Sequence, residues 1–414
     1  MNRESTSLAV EPSLAGGARH TSTPPAELPA RRVPRRVVVL QPALPHYRRA
    51  FFQRLGERVD ALTVVHGERP LSGEEAASAG VLEGVSTLAV PHRALGPAFW
   101  MPALWQAAGD DRYDVAVFGW NVRYPHLPLA MVRASRRGIG VVLWGHGYSL
   151  SEGTFRRAVR NFVARRADAV ITYNHRAARA LVEAGGAADR VFVAPNAIDV
   201  DAIDMARRGW SAEPQRLVSL RHGLGPDGCP IALHVSRLGN VANLRMLLDT
   251  WRHIVTMVPR ARLVIVGDGP ARHALGSEIA RFGLVDSVRC VGPVFGEDAV
   301  APYFLSARLL LHPVKIGLSL NHAMGYGVPV VTFDDPARHS PEFEALEHGS
   351  NGMVAAHGDV RGLAANAARL LLDPELAARL GRRASATMRT GYSMDAMVNG
   401  FLDAVRTADA SRSR

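Results

Sequence analysis

The stretch LHPVKIGLSLNHAMGYGVPVVTFDD, Leu311 to Asp335, is the densest in structural signals. An apolar run ends at Pro313, a glycine turn follows at Gly317, and a helical pattern opens at Leu318. Gly327 and Pro329 then stop the helix and start a β-branched run, the usual grammar of a β-α-β unit. The first amides of such a helix have no partner within it and point outward, so Gly317, Leu318 and Ser319 form a candidate anion site.

Working outward, the same alternation fills the chain. PIALHVSRL, ARLVIVGDG, SVRCVGP and RLLLHP read as strands, separated by helices such as NLRMLLDTWRHIVTMV. Upstream, RRVVVL, LTVVH, DVAVFGW, VVLWGHG, DAVITYN and RVFVAP repeat the pattern. Apolar strands with intervening amphipathic helices predict parallel sheets covered on both faces. The polar, Pro- and Gly-bearing stretch 206–228 interrupts the rhythm and reads as a connection. The expected division is a disordered lead-in 1–33, an N-terminal domain 34–205, the linker 206–228, a C-terminal domain 229–390 and a closing helix and tail 391–414. Two doubly wound units in tandem place a ligand cleft between the carboxyl edges of their sheets.

The chain has 414 residues, enough for two cores, and 49 basic against 38 acidic residues give a net charge of +11. Lys315 is the only lysine, so arginine supplies almost all of the positive charge. The surplus favours polyanions: nucleotide phosphates or an anionic membrane surface. No nucleic-acid module is visible, and basic residues do not alternate with aromatics along a strand, so nucleic acid is not an expected partner. No apolar run reaches the length of a membrane span, the lead-in lacks a signal-peptide core, and two cysteines make no disulfide framework; the expected location is cytoplasmic, peripheral to the membrane. The segments TFRRAVRNFVARRA and GPAFWMPALWQA interleave Arg156, Arg157, Arg160 and Arg165 with Phe155, Phe162 and Val163, and present Phe99, Trp100 and Trp105, which suits docking on an anionic bilayer.

Three further clusters accompany the helix start: Ser236-Arg237-Leu238 after the first strand of the second half, Gly267-Asp268-Gly269-Pro270 after the next, and Ala323-Met324-Gly325-Tyr326-Gly327-Val328-Pro329-Val330. In this order, over about 130 residues, they resemble the nucleotide-binding domain of the large retaining GT-B glycosyltransferases of the group 1 type. The resemblance implies the GT-B fold, α/β with two Rossmann-like domains, a cleft between them and C-terminal helices. It implies transfer of a sugar from a UDP- or GDP-linked nucleotide-sugar to a glycan or polyprenyl-linked acceptor, with retention and with no cofactor or metal.

Residue by residue, Arg237 is similar to the arginine that holds the donor pyrophosphate, and Gly267 and Gly269 to the turn that lets donor and chain approach closely. The Gly317–Ser319 amides are similar to the loop that cradles the distal phosphate, and Glu342 to an acidic position in the loop after the last core strand. Two departures stand out. The family's phosphate lysine falls at Ala242, and its pair of glutamates falls at Val314 and His322. The run Gly317–Met324 is similar to a bacterial polysaccharide branch with G-L-S/T-x-x-H-A-M, which accounts for His322. Lys315, two residues before Gly317, is placed to restore the missing cation. Gly292, opening Gly292-Pro293-Val294, marks a candidate base pocket. In the first half, Leu44-Pro45-His46-Tyr47-Arg48 and Trp144-Gly145-His146-Gly147 end strands, so His146 is expected to face the cleft and touch the transferred sugar. The alternative reading is a catalytically silent relative that binds sugar nucleotides as a scaffold.

Overall fold

The computed structural model describes residues 33–68, 82–147, 153–210, 218, 221 and 228–412. Residues 1–32 of the expected disordered lead-in and most of the 206–228 connection lie outside the described residues, while Val33 already belongs to the first strand.

The N-terminal sheet has seven parallel strands in the order β3-β2-β1-β6-β7-β8-β9. They are β1 (Val33–Gln41), β2 (Val59–Gly67), β3 (Ser86–Val90), β6 (Val115–Gly119), β7 (Gly140–Gly145), β8 (Ala169–Thr172) and β9 (Val191–Val193). A small antiparallel hairpin of β4 (Arg93–Leu95) and β5 (Ala98–Trp100) stands apart. The run Val37-Val38-Val39-Leu40 explains why β1 is central. Val37 and Val39 enter the core on one face, Val38 and Leu40 that on the other, so every residue of the run is buried. Helices α1 (Arg49–Gly56), α2 (Ala103–Ala107), α3 (Leu127–Arg136), α4 (Thr154–Ala164) and α5 (His175–Glu183) connect the strands.

The C-terminal sheet is also parallel, in the order β12-β11-β10-β13-β14-β15. It comprises β10 (Ile231–Val235), β11 (Arg262–Val266), β12 (Val288–Gly292), β13 (Leu309–Leu311), β14 (Val330–Asp334) and β15 (Gly352–Ala356). Around it lie α6 (Val200–Gly209), α7 (Val241–Met257), α8 (Arg272–Arg281), α9 (Glu297–Ser306), α10 (Leu318–Gly325), α11 (Val360–Leu372) and α12 (Pro374–Gly391).

Two features differ from the division expected from sequence. Helix α6 buries Ile203 and Ala206 in the C-terminal core, so the chain crosses between domains near Ile198, before the expected linker at 206. The closing helix α13 (Met394–Arg412) returns to the first domain and buries Met397, Val398, Phe401, Leu402 and Val405 beside Val37, Val39 and Trp144. Gly400 makes this docking feasible, because a Cβ there would lie 2.1 Å from the Val193 carbonyl oxygen. The two crossings meet in a parallel bridge between Ile198 and Ser393.

Polar contacts join the domains as well. The Glu344 carboxylate, on the loop after β14, accepts from the backbone N–H groups of His175 at 2.7 Å and Arg176 at 2.8 Å. It thereby caps α5 of the other domain, whose N-cap Asn174 also donates to the Pro341 carbonyl at 3.3 Å.

The proposed bilayer-facing helix needs one correction. Arg160 and Val163 of α4 are buried, Arg160 against the Trp120 ring at 5.6 Å, so they leave the basic-aromatic face. Phe155, Phe162, Arg156, Arg157 and Arg165 remain exposed, as do Trp100 and Trp105, whereas Phe99 is partly covered beneath Arg123 at 3.7 Å. Among the described residues no helix is long and apolar enough to cross a membrane.

Candidate active site

Three consecutive strand-to-helix loops build one wall of a cleft, and backbone hydrogen bonds bind them into a lattice. Ser236 N–H donates to the Val266 carbonyl at 3.2 Å, Leu238 N–H to that of Asp268 at 2.8 Å, and Gly267 N–H to that of Gly292 at 2.9 Å. Such close approach requires glycine at two places. Gly267 has φ +144°, and a Cβ there would lie 1.9 Å from the Ser236 oxygen. Gly269 has φ +153°, with the Leu238 oxygen 2.5 Å from its hypothetical Cβ. The lattice fixes the backbone from which Arg237 reaches into the cleft.

A fourth loop follows β13. Gly317 is the N-cap of α10, without a side-chain cap, which leaves the first amides of the helix available to an anion. These elements and the N-terminal turn at His46 and Tyr47 enclose a cavity of about 1360 Å³. Arg237, Lys315, Gly267, Gly269, Gly317, Leu318, Ser319 and His322 all line it. Ala242, where the family carries lysine, sits exposed in the first turn of α7 and is not on the wall; Val314 is not on it either.

Three expected site residues are placed differently. Gly292 lies behind the wall, where its carbonyl receives the Gly267 N–H, and the next four residues, Pro293 to Gly296, provide the surface. Glu342 is 4% exposed and off the wall. Burial pushes its carboxyl up from the ordinary range, against its own backbone N–H, the 2.7 Å bond from Asn196 and the charges of Arg48 and Lys315. His146 projects from the end of β7 against Tyr173, with ring centroids 4.7 Å apart, rather than on the cavity wall. Water reaches its ring, yet crowding in the recess and the charges of Arg48 and Lys315 push its pKa down to about 4. It is a neutral imidazole at physiological pH.

Sequence reasoning gave no role to a second set of residues, Arg48 among them although its segment was noted. Arg48 is buried 4.8 Å from the Trp144 ring and 5.1 Å from that of Tyr173, and it donates to the Asn196 side chain at 2.7 Å. Asn196 in turn donates to Glu342, so a polar chain crosses the domain boundary. At the ends of β10 and β13, His234 and His312 face each other at 4.7 Å. Burial pushes His234 down to about 4, and it also pushes His312 well below its ordinary value. Finally, Glu297, the first residue of α9, lines the cavity and contacts His322, whose Nε2 lies 2.9 Å from Oε1 and 3.1 Å from Oε2. The Tyr326 hydroxyl donates to the same Oε1. No sequence motif links Glu297 to His322, because they are 25 positions apart and on different helices. Among the described residues no group of three or more His, Cys, Asp or Glu is placed to hold a metal ion.

Comparison with known proteins matches each domain separately. Residues 229–373 match the model of glycosyl transferases group 1, and residues 49–202 that of Glycosyltransferase Family 4. The 2-deoxystreptamine glucosyltransferase of Streptomyces kanamyceticus is 30% identical over 52% of this chain and 54% of its own length. The chain thus spans about half the length of that relative. The GDP-mannose-dependent alpha-(1-6)-phosphatidylinositol monomannoside mannosyltransferase of Mycobacterium tuberculosis is 25% identical over 69% of this chain and 75% of its own. Among solved structures, Anabaena HepE in complex with UDP superposes with a TM-score of 0.69 at 18% identity, over 90% of this chain and 100% of that one. The two-sheet architecture, the ordered C-terminal loops and the matches to both halves agree: the chain belongs to the GT-B glycosyltransferases.

Proposed function

We propose that the protein transfers a sugar from a UDP- or GDP-linked nucleotide-sugar to a glycan or lipid-linked acceptor, with retention. The observation that carries this reading is the convergence of Arg237, Lys315 and the unpartnered α10 amides on one cavity between two parallel sheets. Breaking the bond from sugar to phosphate leaves charge on the departing diphosphate. A guanidinium, an ammonium and a row of amides held by the loop lattice stabilise that charge without reorganising. They do the work a divalent ion would otherwise do, so the proposed reaction needs no resident metal. Retention follows if the acceptor attacks from the face that the leaving phosphate occupies, with a phosphate oxygen taking the acceptor proton. His146, packed on Tyr173 and off the cavity wall, takes no part in the proposed reaction.

The relatives support the reaction class, since their names describe glucosyl and mannosyl transfer. The test is release of free nucleotide from a panel of UDP-, GDP- and ADP-sugars with and without acceptor, preceded by thermal shift to find the donor. Acceptor-dependent release supports transfer. Binding without turnover on any acceptor favours the silent scaffold.

Exposed Phe155 and Phe162 on the helix of Arg156 and Arg157, together with exposed Trp100 and Trp105 elsewhere in the same domain, support a lipid-linked acceptor met at an anionic membrane surface. Flotation with anionic vesicles, but not neutral ones, is the expected result. Equal failure on both removes the membrane from the proposal.

A further inference from the structure

The loop that carries Lys315 and opens α10 is tied to the chain after β14, and the tie is made at one residue. Ile316 is fully buried, between exposed Lys315 and half-buried Gly317. Its carbonyl accepts from the Ser340 N–H at 2.9 Å, and its own N–H donates to Nδ1 of His339 at 3.2 Å. Nε2 of the same ring lies 2.9 Å from the Phe333 carbonyl, near the end of β14. The His339 ring is buried and stacks on Phe343 with centroids 4.4 Å apart.

These two bonds fix the protonation state of the ring. A carbonyl oxygen only accepts, so Nε2 carries the hydrogen; an amide N–H only donates, so Nδ1 is bare. Both bonds exist together in the neutral ring alone. An imidazolium turns a second N–H toward that of Ile316, and the tie breaks. Burial holds the ring below the ordinary histidine range, against the Phe333 bond and the charges of Asp335 and Asp334, while His357 acts in the same direction as burial. The other ionisable neighbours are His312, which feels the charge of His339, Arg338, turned to Asp335 at 2.9 Å, and Glu342 and Glu344, engaged by Asn196 and the start of α5.

Lys315 and Gly317 flank Ile316 directly, so the placement of that one residue sets where the ammonium and the α10 amides stand in the cavity. Resting on the donor-site reading above, we propose that His339 is a positioning residue of the phosphate-binding loop, holding Ile316, and with it Lys315 and the first amides of α10, in the donor-binding arrangement only while its ring is neutral. It acts through the loop, since Ser340 and not His339 lies on the cavity wall.

Two substitutions in the full chain separate the bonds from the bulk of the ring. His339→Phe keeps a ring against Phe343 and removes both bonds; His339→Asn keeps an acceptor near the Nδ1 position and does not titrate. Hydrogen exchange of the Ile316 amide, referenced to the His312 amide in the β13–β14 ladder, reads the tie without any ligand. It should be about tenfold faster in the Phe variant and close to the unmodified protein in the Asn variant. Calorimetric titration with UDP and with GDP at neutral pH should show about tenfold weaker binding for Phe and a loss within about threefold for Asn. As pH falls below about 6.5, the unmodified protein should lose affinity and Ile316 protection relative to the Asn variant. Unchanged Ile316 exchange in a folded Phe variant overturns the proposal and leaves the buried Ile316 side chain as the anchor. Faster exchange with unchanged nucleotide binding also overturns it, by making the tie purely structural. An Asn variant that follows the acid profile of the unmodified protein does the same, whether or not the Phe variant folds. If neither nucleotide binds the unmodified protein, the donor-site reading fails, and exchange at Ile316 still decides by itself whether His339 holds the loop.

Discussion

The two walls of the cleft are built differently. On the C-terminal wall, the loops after β10, β11 and β12 are bonded to one another through their backbones, with glycines at points where no Cβ fits. On the N-terminal wall, the cavity meets a short helical turn carrying His46 and Tyr47, behind which Arg48 is packed among aromatic rings. One wall is backbone held by backbone; the other is side chain resting on side chain. A diphosphate has a fixed shape and charge, and a rigid lattice of donors suits it. An acceptor offers hydroxyls and ring faces, and aromatic side chains meet those with some freedom.

Four substitutions or conditions probe that difference, beginning with the largest expected effect. Gly267→Ala forces a Cβ to 1.9 Å from the Ser236 oxygen at φ +144°. It should cost about 3–5 kcal/mol in urea unfolding. Gly96→Ala, in the β4–β5 turn with φ +59° and open space around it, should cost only about 1 kcal/mol. Similar losses at both sites would show that the lattice is not what sets the C-terminal wall.

Acid should loosen the same wall. His234 has its pKa pushed from 6.5 to about 4 by burial. The unfolded chain therefore binds more protons between those values. The contribution is complete above about pH 6.5 and is lost as pH falls toward 4, roughly 3 kcal/mol in all. His234→Gln should flatten the Tm-against-pH curve in that window. His146→Gln should flatten it less, because solvent reaches that ring.

Arg237→Ala should lower kcat/KM by about tenfold to a hundredfold, from the loss of a charged phosphate bond, with the unfolding curve unchanged. Near-normal activity would move the donor off this wall. Lys315→Ala should have the smallest effect, about tenfold or less, with Lys315→Arg restoring part of it if charge alone matters. Full turnover and unchanged donor affinity in Lys315→Ala would leave Arg237 and the loop amides as sufficient.

Most of the architecture was legible because each buried strand is a run such as Val37–Leu40, and each loop of the C-terminal wall carries its glycine or arginine at a fixed place after the strand. What escaped were contacts between distant segments. Glu297 and His322 meet only because α9 and α10 pack together. Arg48 reads as one arginine among many until Trp144, Tyr173 and Asn196 surround it. The closing helix was legible as a helix, but not the domain against which it packs. Glu342, placed by resemblance, and Gly292, placed by its position after a strand, both lie off the cavity wall because of how their neighbours pack, which sequence spacing does not encode.

The bridge between Ile198 and Ser393 has a mechanical consequence. A single connecting strand would let one domain swivel about the other in any direction. Here the backbone passes between domains twice, and the two passages are tied side by side, like two pins on one door edge. The two passages are thereby held side by side at one place in the chain, so any change in how the domains meet is anchored there.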